Sequence, residues 1–270
     1  MRAALALVLL AACAGPAAPP GLGPADRAAI AGAEVVFAGE VHDNPDHHRL
    51  QAELARWLKP AAIVFEMLPP DREAEIARLR AAGAGRAALE AALDWARSGW
   101  PDFGFYAAIM EAAPRARIYG AEVPRADLVR AMREGAAAVL PGAADFGLDR
   151  PLPPEELAAR IAEQAEAHCH ALPGAMLPGM VEAQRLRDGA LAAAALRALR
   201  DTGGPVLVIT GTGHARTDRG APALLTRAAP GLRVFALGQG EADPGPGAPF
   251  DAYRVAPAPP RPDPCAALRR

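Results

Sequence analysis

Six short apolar runs punctuate the chain, at 34–38 (EVVFA), 61–66 (AAIVFE), 116–121 (ARIYGA), 205–210 (PVLVIT), 232–237 (LRVFAL) and 251–255 (DAYRV). Each has the length of a strand and is near-continuously apolar, the pattern of strands covered on both faces. Helical patterns fill the intervals at 46–58, 70–82, 86–98, 102–113, 124–136, 154–170 and 176–201. Strands alternating with helices predict an α/β fold with a mainly parallel sheet flanked by helices. The interval of about 123–203 carries helices without a convincing strand. It reads as a smaller helical insertion or cap over the sheet, divided by a loop at 140–154.

Composition narrows the function classes. Of 270 residues, 51% are hydrophobic and 22% charged, enough to bury a sizeable core and too apolar for a chain disordered throughout. The 31 acidic residues slightly outnumber the 29 basic ones, a balance that gives no support to nucleic-acid binding. No GxGxxG, P-loop or GxSxG sequence occurs, so nucleotide binding and serine hydrolysis of those folds have no signature here.

The ends differ from the middle. Residues 1–12 begin Met-Arg, continue as an apolar run of secretory h-region length, and stop at Leu10-Ala11-Ala12 before Cys13. Small residues before a cysteine resemble the signal of bacterial lipoproteins, in which the cysteine becomes the lipidated N-terminus. An ordinary cleaved signal peptide with an incidental cysteine is the alternative. Residues 13–32 then read as the lipidated N-terminus and tether, 33–256 as the α/β domain and 257–270 as a Pro-rich disordered tail. Ala14 in place of Asp lacks the inner-membrane retention signal, so the expected location is the cell envelope, at the outer membrane. A disulfide between Cys169 and Cys265 is permitted there but not demanded by the sequence.

The chemically informative residues stand at the ends of these strands. The first run is followed by Gly39-Glu40-Val41-His42, the second ends in Glu66, Glu122 follows the third, and the fourth is followed by Gly211-Thr212-Gly213-His214. Ligands in open α/β sheets bind beyond the carboxyl ends of the strands. Glu40, His42, Glu66 and His214 are therefore expected at one polar site. Such oxygen and imidazole groups suit a divalent metal ion. Singly, each of them reads equally well as a loop or capping residue.

Other candidates have two readings each. His48 either lines the pocket or packs on its helix beside Gln51. His168 and His170 end a helix, where interaction with its dipole is the simpler role. Met180, Gln184, Arg187 and Asp188 form one helical stripe, facing either the site or solvent. Trp100, Phe103, Phe105 and Tyr106 are either core packing or a flat surface for a planar ligand, with Tyr106 as an oxygen ligand.

The segments VVFAGEVHDNPDHHRLQ (35–51), IVFEM (63–67), WPDFGFYAAIMEAA (100–113), HCHALP and MVEAQRLRD (within 168–188) and VLVITGTGHARTDRGAP (206–222) together resemble the ChaN-type haem-binding lipoproteins of the Tiki superfamily. The Gly-x-x-His signature occurs twice, as Gly39 to His42 and Gly211 to His214. The resemblance implies a membrane-anchored haem-binding protein of iron uptake. Haem would be held between two subunits of a homodimer, with Tyr106 as the iron ligand and His48 at the pocket. Arg187 or Arg216 would meet the propionates. The wider superfamily also resembles metal-dependent proteases and hydrolases. On that alternative His42 and His214 are metal ligands, and Glu40 and Glu66 metal or catalytic groups.

Overall fold

The computed structural model describes residues 21–263 together with Pro19, Cys265 and Ala266. The expectations for the signal segment 1–12 and for lipidation of Cys13 lie outside the described residues. All six apolar runs are strands: β1 (Val35–Glu40), β2 (Ala62–Phe65), β3 (Arg117–Gly120), β4 (Val206–Gly211), β5 (Val234–Gly240) and β6 (Ala252–Val255). They form a single parallel sheet in the order β3-β2-β4-β1-β5-β6.

Among the described residues ten helices accompany the sheet: α1 (Pro24–Gly32), α2 (Pro45–Leu58), α3 (Glu73–Ala81), α4 (Arg86–Ala92), α5 (Trp95–Ser98), α6 (Phe103–Ala112), α7 (Arg125–Glu134), α8 (Pro154–Ala167), α9 (Leu177–Thr202) and α10 (Ala221–Ala228). Local chemistry sets several boundaries. Asn44 caps α2 by accepting from the Asp46 amide at 3.0 Å, with Pro45 in the first turn, and Lys59 ends that helix in the left-handed region. Asp102 caps α6 by accepting from the Gly104 amide at 2.8 Å. The expected helix 86–98 is broken at Asp94, whose φ of 47° is left-handed.

Strand order explains where the helices lie. The chain runs one way along the sheet from β1 to β2 and β3, then reverses through β4, β5 and β6. Parallel crossovers share one hand, so a reversal carries the connecting helices to the opposite face. Val36, Ala38, Ile63, Phe65, Leu207 and Ile209 accordingly pack under α2–α6. Val35, Phe37, Ala62, Val64, Val206 and Val208 pack under α7, α9 and α10. Alternate side chains of one strand thus enter two separate cores.

This layout specifies one reading and corrects another. The helical segment at about 123–203 caps one face of the sheet. Its α7 and α9 are the second covering layer, because the return from β3 to β4 must cross that face, and α8 packs on α9. The tail expected to be disordered is tied down between Pro257 and Cys265. The Asn44 amide donates to the Pro257 carbonyl at 3.0 Å, and Arg261 pairs with Asp43 at 2.9 Å and also with Glu241. Cys169 and Cys265 form a disulfide. Proline content forecasts irregular backbone, and these long-range ties then fix it. Within the expected tether, residues 24–32 form α1, whose Ile30 is fully buried. Among the described residues no helix is long and apolar enough to cross a membrane.

Candidate functional site

The site follows from the strand order. β4 lies between β2 and β1, whose onward chains leave to one face, while the chain after β4 leaves to the other. Loops that diverge in this way open a crevice at the carboxyl ends of the three strands. His42 reaches it from the segment after β1, Glu66 from the end of β2 and His214 from the tight turn Thr212–Ala215 after β4, while Glu40, the last residue of β1, stands behind His42. Two glycines let these segments close up. A Cβ on Gly39 would stand 2.9 Å from the Thr212 Cα, and a Cβ on Gly211 would stand 3.0 Å from His42 Nε2.

The two histidines are each backed by a carboxylate. His42 Nδ1 donates to Glu40 Oε1 at 2.7 Å. Glu40 also accepts from Gln51 Nε2 at 2.8 Å and from the Tyr106 hydroxyl at 3.1 Å. His214 Nδ1 donates to Asp188 Oδ1 at 2.6 Å, with Gln184 Nε2 at 3.1 Å. Glu66 accepts from the Thr210 hydroxyl at 2.6 Å and from the Gly211 amide at 2.8 Å, and its Oε1 lies 3.5 Å from His214 Nε2.

These contacts decide the charges. Burial alone would lower the pKa of His214, but the charges of Glu66 and Asp188 outweigh it and raise the value above its usual 6.5. Burial likewise works against the His42 imidazolium, and the Glu40 hydrogen bond with the Glu66 charge reverses the sign. Burial would raise Glu66, yet the two imidazoles and its hydrogen bonds hold it below 4.5.

A cavity of about 560 Å³ opens over this floor of His42, Glu66 and His214. Trp100, Val123 and Leu128 supply apolar wall, and Glu122, Arg125 and Arg187 supply charge. The Trp100 ring meets the His42 imidazole edge to face at 4.9 Å. Arg125 and Arg187 make no ion pair among the described residues. Nearby Arg160, Arg185, Arg216 and Arg219 are all paired with carboxylates.

Three of the four strand-end residues expected at one site line this cavity, and Glu40 does not. It ends β1 on the side facing α2 and α6, is 2% exposed, and stands behind His42. Of the residues expected as metal ligands, His42, His214 and Glu66 share the cavity floor, and Glu40 lies behind it. Among the described residues no group of three or more His, Cys, Asp or Glu side chains is arranged to hold a metal ion. The Nδ1 atoms of both histidines and one oxygen of Glu66 are already engaged by protein partners.

The remaining candidates divide. Tyr106 is fully buried in the core with Phe103. Burial and then the Glu40 charge push its pKa far above 10, and its hydroxyl donates to Glu40 at 3.1 Å instead of lining the cavity. His48 is buried too: its Nε2 donates to the His42 carbonyl at 2.8 Å and its ring stacks on Phe105 at 4.5 Å. It supports the His42 loop from below. Arg187 lines the cavity, whereas Arg216 lines a separate cleft of about 260 Å³ and pairs with Asp218 at 2.6 Å. Asp188 and Gln184 enter the site through His214, so the polar stripe of α9 faces inward. His168 Nδ1 donates to the Gln164 carbonyl at the end of α8, the dipole-end role expected of it.

Residues 27–225 match the family described as haem-binding uptake, Tiki superfamily, ChaN. The structure is similar to that of ChaN from Campylobacter jejuni, described as showing cofacial haem binding, with 17% identity over 78% of this chain and 82% of that one, at a TM-score of 0.59. The type III effector HopBA1 aligns at 14% identity over 89% of this chain and 96% of its own, at a TM-score of 0.48. No curated protein matches in sequence. At 17% identity the likeness to the Campylobacter jejuni protein speaks to the fold alone.

Proposed function

The chain belongs to the ChaN haem-binding uptake family of the Tiki superfamily, and from that premise we propose that it binds haem in the cavity above His42, Glu66 and His214. Haem presents an apolar plane, two carboxylates and an iron that needs an axial ligand. The observation that carries the reading is a pair of guanidinium groups, Arg125 and Arg187, that make no ion pair among the described residues and stand beside the Trp100 wall of a cavity of about 560 Å³. Guanidinium groups without protein partners suit carboxylates of a ligand.

Haemin titration followed by absorbance tests this. A saturable spectral change at fixed stoichiometry is expected. Arg125→Ala combined with Arg187→Ala would weaken haemin roughly tenfold or more, since each charge-assisted bond contributes about 1.5–3 kcal/mol. The dimethyl ester of the same porphyrin, lacking carboxylates, would be insensitive to those changes. No spectral change with the wild-type protein refutes the proposal.

The wider role we propose is haem and iron uptake at the cell envelope, with lipid on Cys13. The lipobox and the Cys169–Cys265 disulfide, a bond of oxidising compartments, support it. Mass spectrometry of the mature N-terminus checks the lipid. Trp100 covers only one side of a planar ligand, so a second copy of the chain is proposed as the other cover. A sizing experiment with and without haemin tests that.

A hydrolase of the Tiki type is the second reading. Its support is the placement of two imidazoles and one carboxylate on a single cavity floor. Glu66 is then the carboxylate at the reacting centre, since Glu40 is sealed from the cavity. Ester or peptide cleavage lost in Glu66→Gln, together with bound metal in the same sample, would favour it over haem carriage.

A further inference from the structure

We infer that the cleft between α8, α9, α10 and the loop at 146–153 is a second ligand site, shaped for a small organic anion with a doubly charged head, the chemistry of a phosphomonoester. The inference is independent of the haem reading. The cleft holds about 340 Å³ and shares no lining residue with the cavity above His42. Phe146, Leu148, Leu152 and Leu224 give it apolar walls. Arg150, Arg160, Arg185, Arg219 and Arg227 bring five guanidinium groups to it.

Three of these cations are already matched: Arg160 pairs with Glu156, Arg185 with Glu182 and Arg219 with Glu163. The carboxylates of the lining are matched too, Glu156 by Arg160, Asp218 by Arg216 and Asp188 by His214. Arg150 and Arg227 are left over, with no ion pair or side-chain hydrogen bond among the described residues. Two uncompensated charges in one cleft match a dianion, and the planar fork of each suits phosphate oxygens. Both are exposed, whereas Arg160 is 9% exposed. Arg160 engages Glu156 through Nε and Nη2, so its Nη1 makes no hydrogen bond among the described residues. A ligand oxygen at that atom would satisfy a nearly buried donor. Gly147, with φ of 71°, makes room for the Arg227 side chain, since a Cβ there would stand 2.6 Å from the Arg227 Cδ. Asp188 ties the cleft to the cavity: it lines the one and holds Nδ1 of His214, on the floor of the other, at 2.6 Å.

Titration of the full chain with phenyl phosphate, followed by calorimetry and NMR, tests the site. Saturable one-to-one binding is expected. Arg150→Ala combined with Arg227→Ala should weaken it roughly tenfold or more. Both side chains are exposed, so the core of that variant stays intact. Arg125→Ala combined with Arg187→Ala, in the other cavity, should leave the affinity unchanged. Benzoate, with a single charge on the same ring, should bind about tenfold more weakly, and phenol should not bind. Phenyl phosphate should also move the His214 imidazole resonances through Asp188. No binding to the wild-type protein, equal binding to the Arg150 and Arg227 variant, or a loss confined to the Arg125 and Arg187 variant overturns the site. Benzoate bound as tightly as phenyl phosphate overturns the doubly charged head. His214 resonances that stay in place at saturation overturn the placement of the ligand against Asp188.

Discussion

Asp188 holds Nδ1 of His214 at 2.6 Å from the middle of α9, and so decides which nitrogen of that imidazole faces Glu66. Replacing it by Asn keeps the volume and removes a charge that raises the His214 pKa. Asp188→Asn is therefore expected to lower that pKa, read by NMR titration of the imidazole. It should cost about 1–3 kcal/mol of stability, the range for an impaired buried hydrogen bond. An unmoved His214 titration would show that Glu66 alone sets its charge.

The pH dependence of stability comes from the same imidazole. The pKa of His214 is raised in the folded state above 6.5, so folding takes up a proton. Its contribution is complete below pH 6.5 and is lost as pH rises through the raised value. Glu66, lowered below 4.5, works in the other direction: its contribution is present above 4.5 and fails as pH falls through the lowered value. Urea midpoints should therefore fall as pH rises above 6.5 through the raised value, and His214→Gln should flatten that fall. Equal slopes in the two proteins would contradict the assignment.

Tyr106→Phe removes a buried donor to Glu40 and nothing else from the core. We expect a loss of about 1.5–3 kcal/mol in chemical denaturation, the range for hydrogen bonds to charged groups. A change of under a few tenths would mean that His42 and Gln51 satisfy Glu40 by themselves.

Gly39→Ala would place a Cβ 2.7 Å from the Thr212 hydroxyl and 2.9 Å from its Cα. The backbone contact has no flexible neighbour to yield, so the turn carrying His214 must shift. A loss of about 1–3 kcal/mol is expected, typical of overpacking, along with perturbed His214 resonances. A neutral result would place the tightness of that contact in doubt.

Cys265→Ser should release the tail beyond Arg261. The disulfide spans 96 residues, and loss of such a constraint costs about 2–4 kcal/mol in typical cases. Limited proteolysis should then cut within 257–265 before the α/β domain, and cleavage at the wild-type rate would speak against a disulfide role in holding the tail.

Element type was well written in this sequence, and element faces were not. The runs at 34–38 and 61–66 announce buried strands because they are apolar throughout, and that property erases the alternation that would tell one face from the other. Glu40 therefore reads as a partner of Glu66, although β1 turns it towards α2 and α6. Burial of Tyr106 was hidden for a related reason: WPDFGFY has the same composition as a core segment or as a ligand platform, and only Trp100 proves to line the cavity. Asp188 sat in a recognisable polar stripe, but its partner lies 26 residues away across a sheet whose strand order no local pattern contains. Helix α10 was missed because its eight residues, opening Ala-Pro-Ala, are too few to show a period.

The Glu40–His42 pair is braced by Gln51 and Tyr106 from one hydrophobic layer, and the Asp188–His214 pair belongs to α9 in the other. The imidazoles meet at one cavity but answer to different foundations. A fault in α6 disturbs one of them, and a fault in α9 disturbs the other. Tolerance to substitution should therefore fall into two separate groups of positions, and a descendant chain is free to lose one imidazole's bracing while keeping the other's intact.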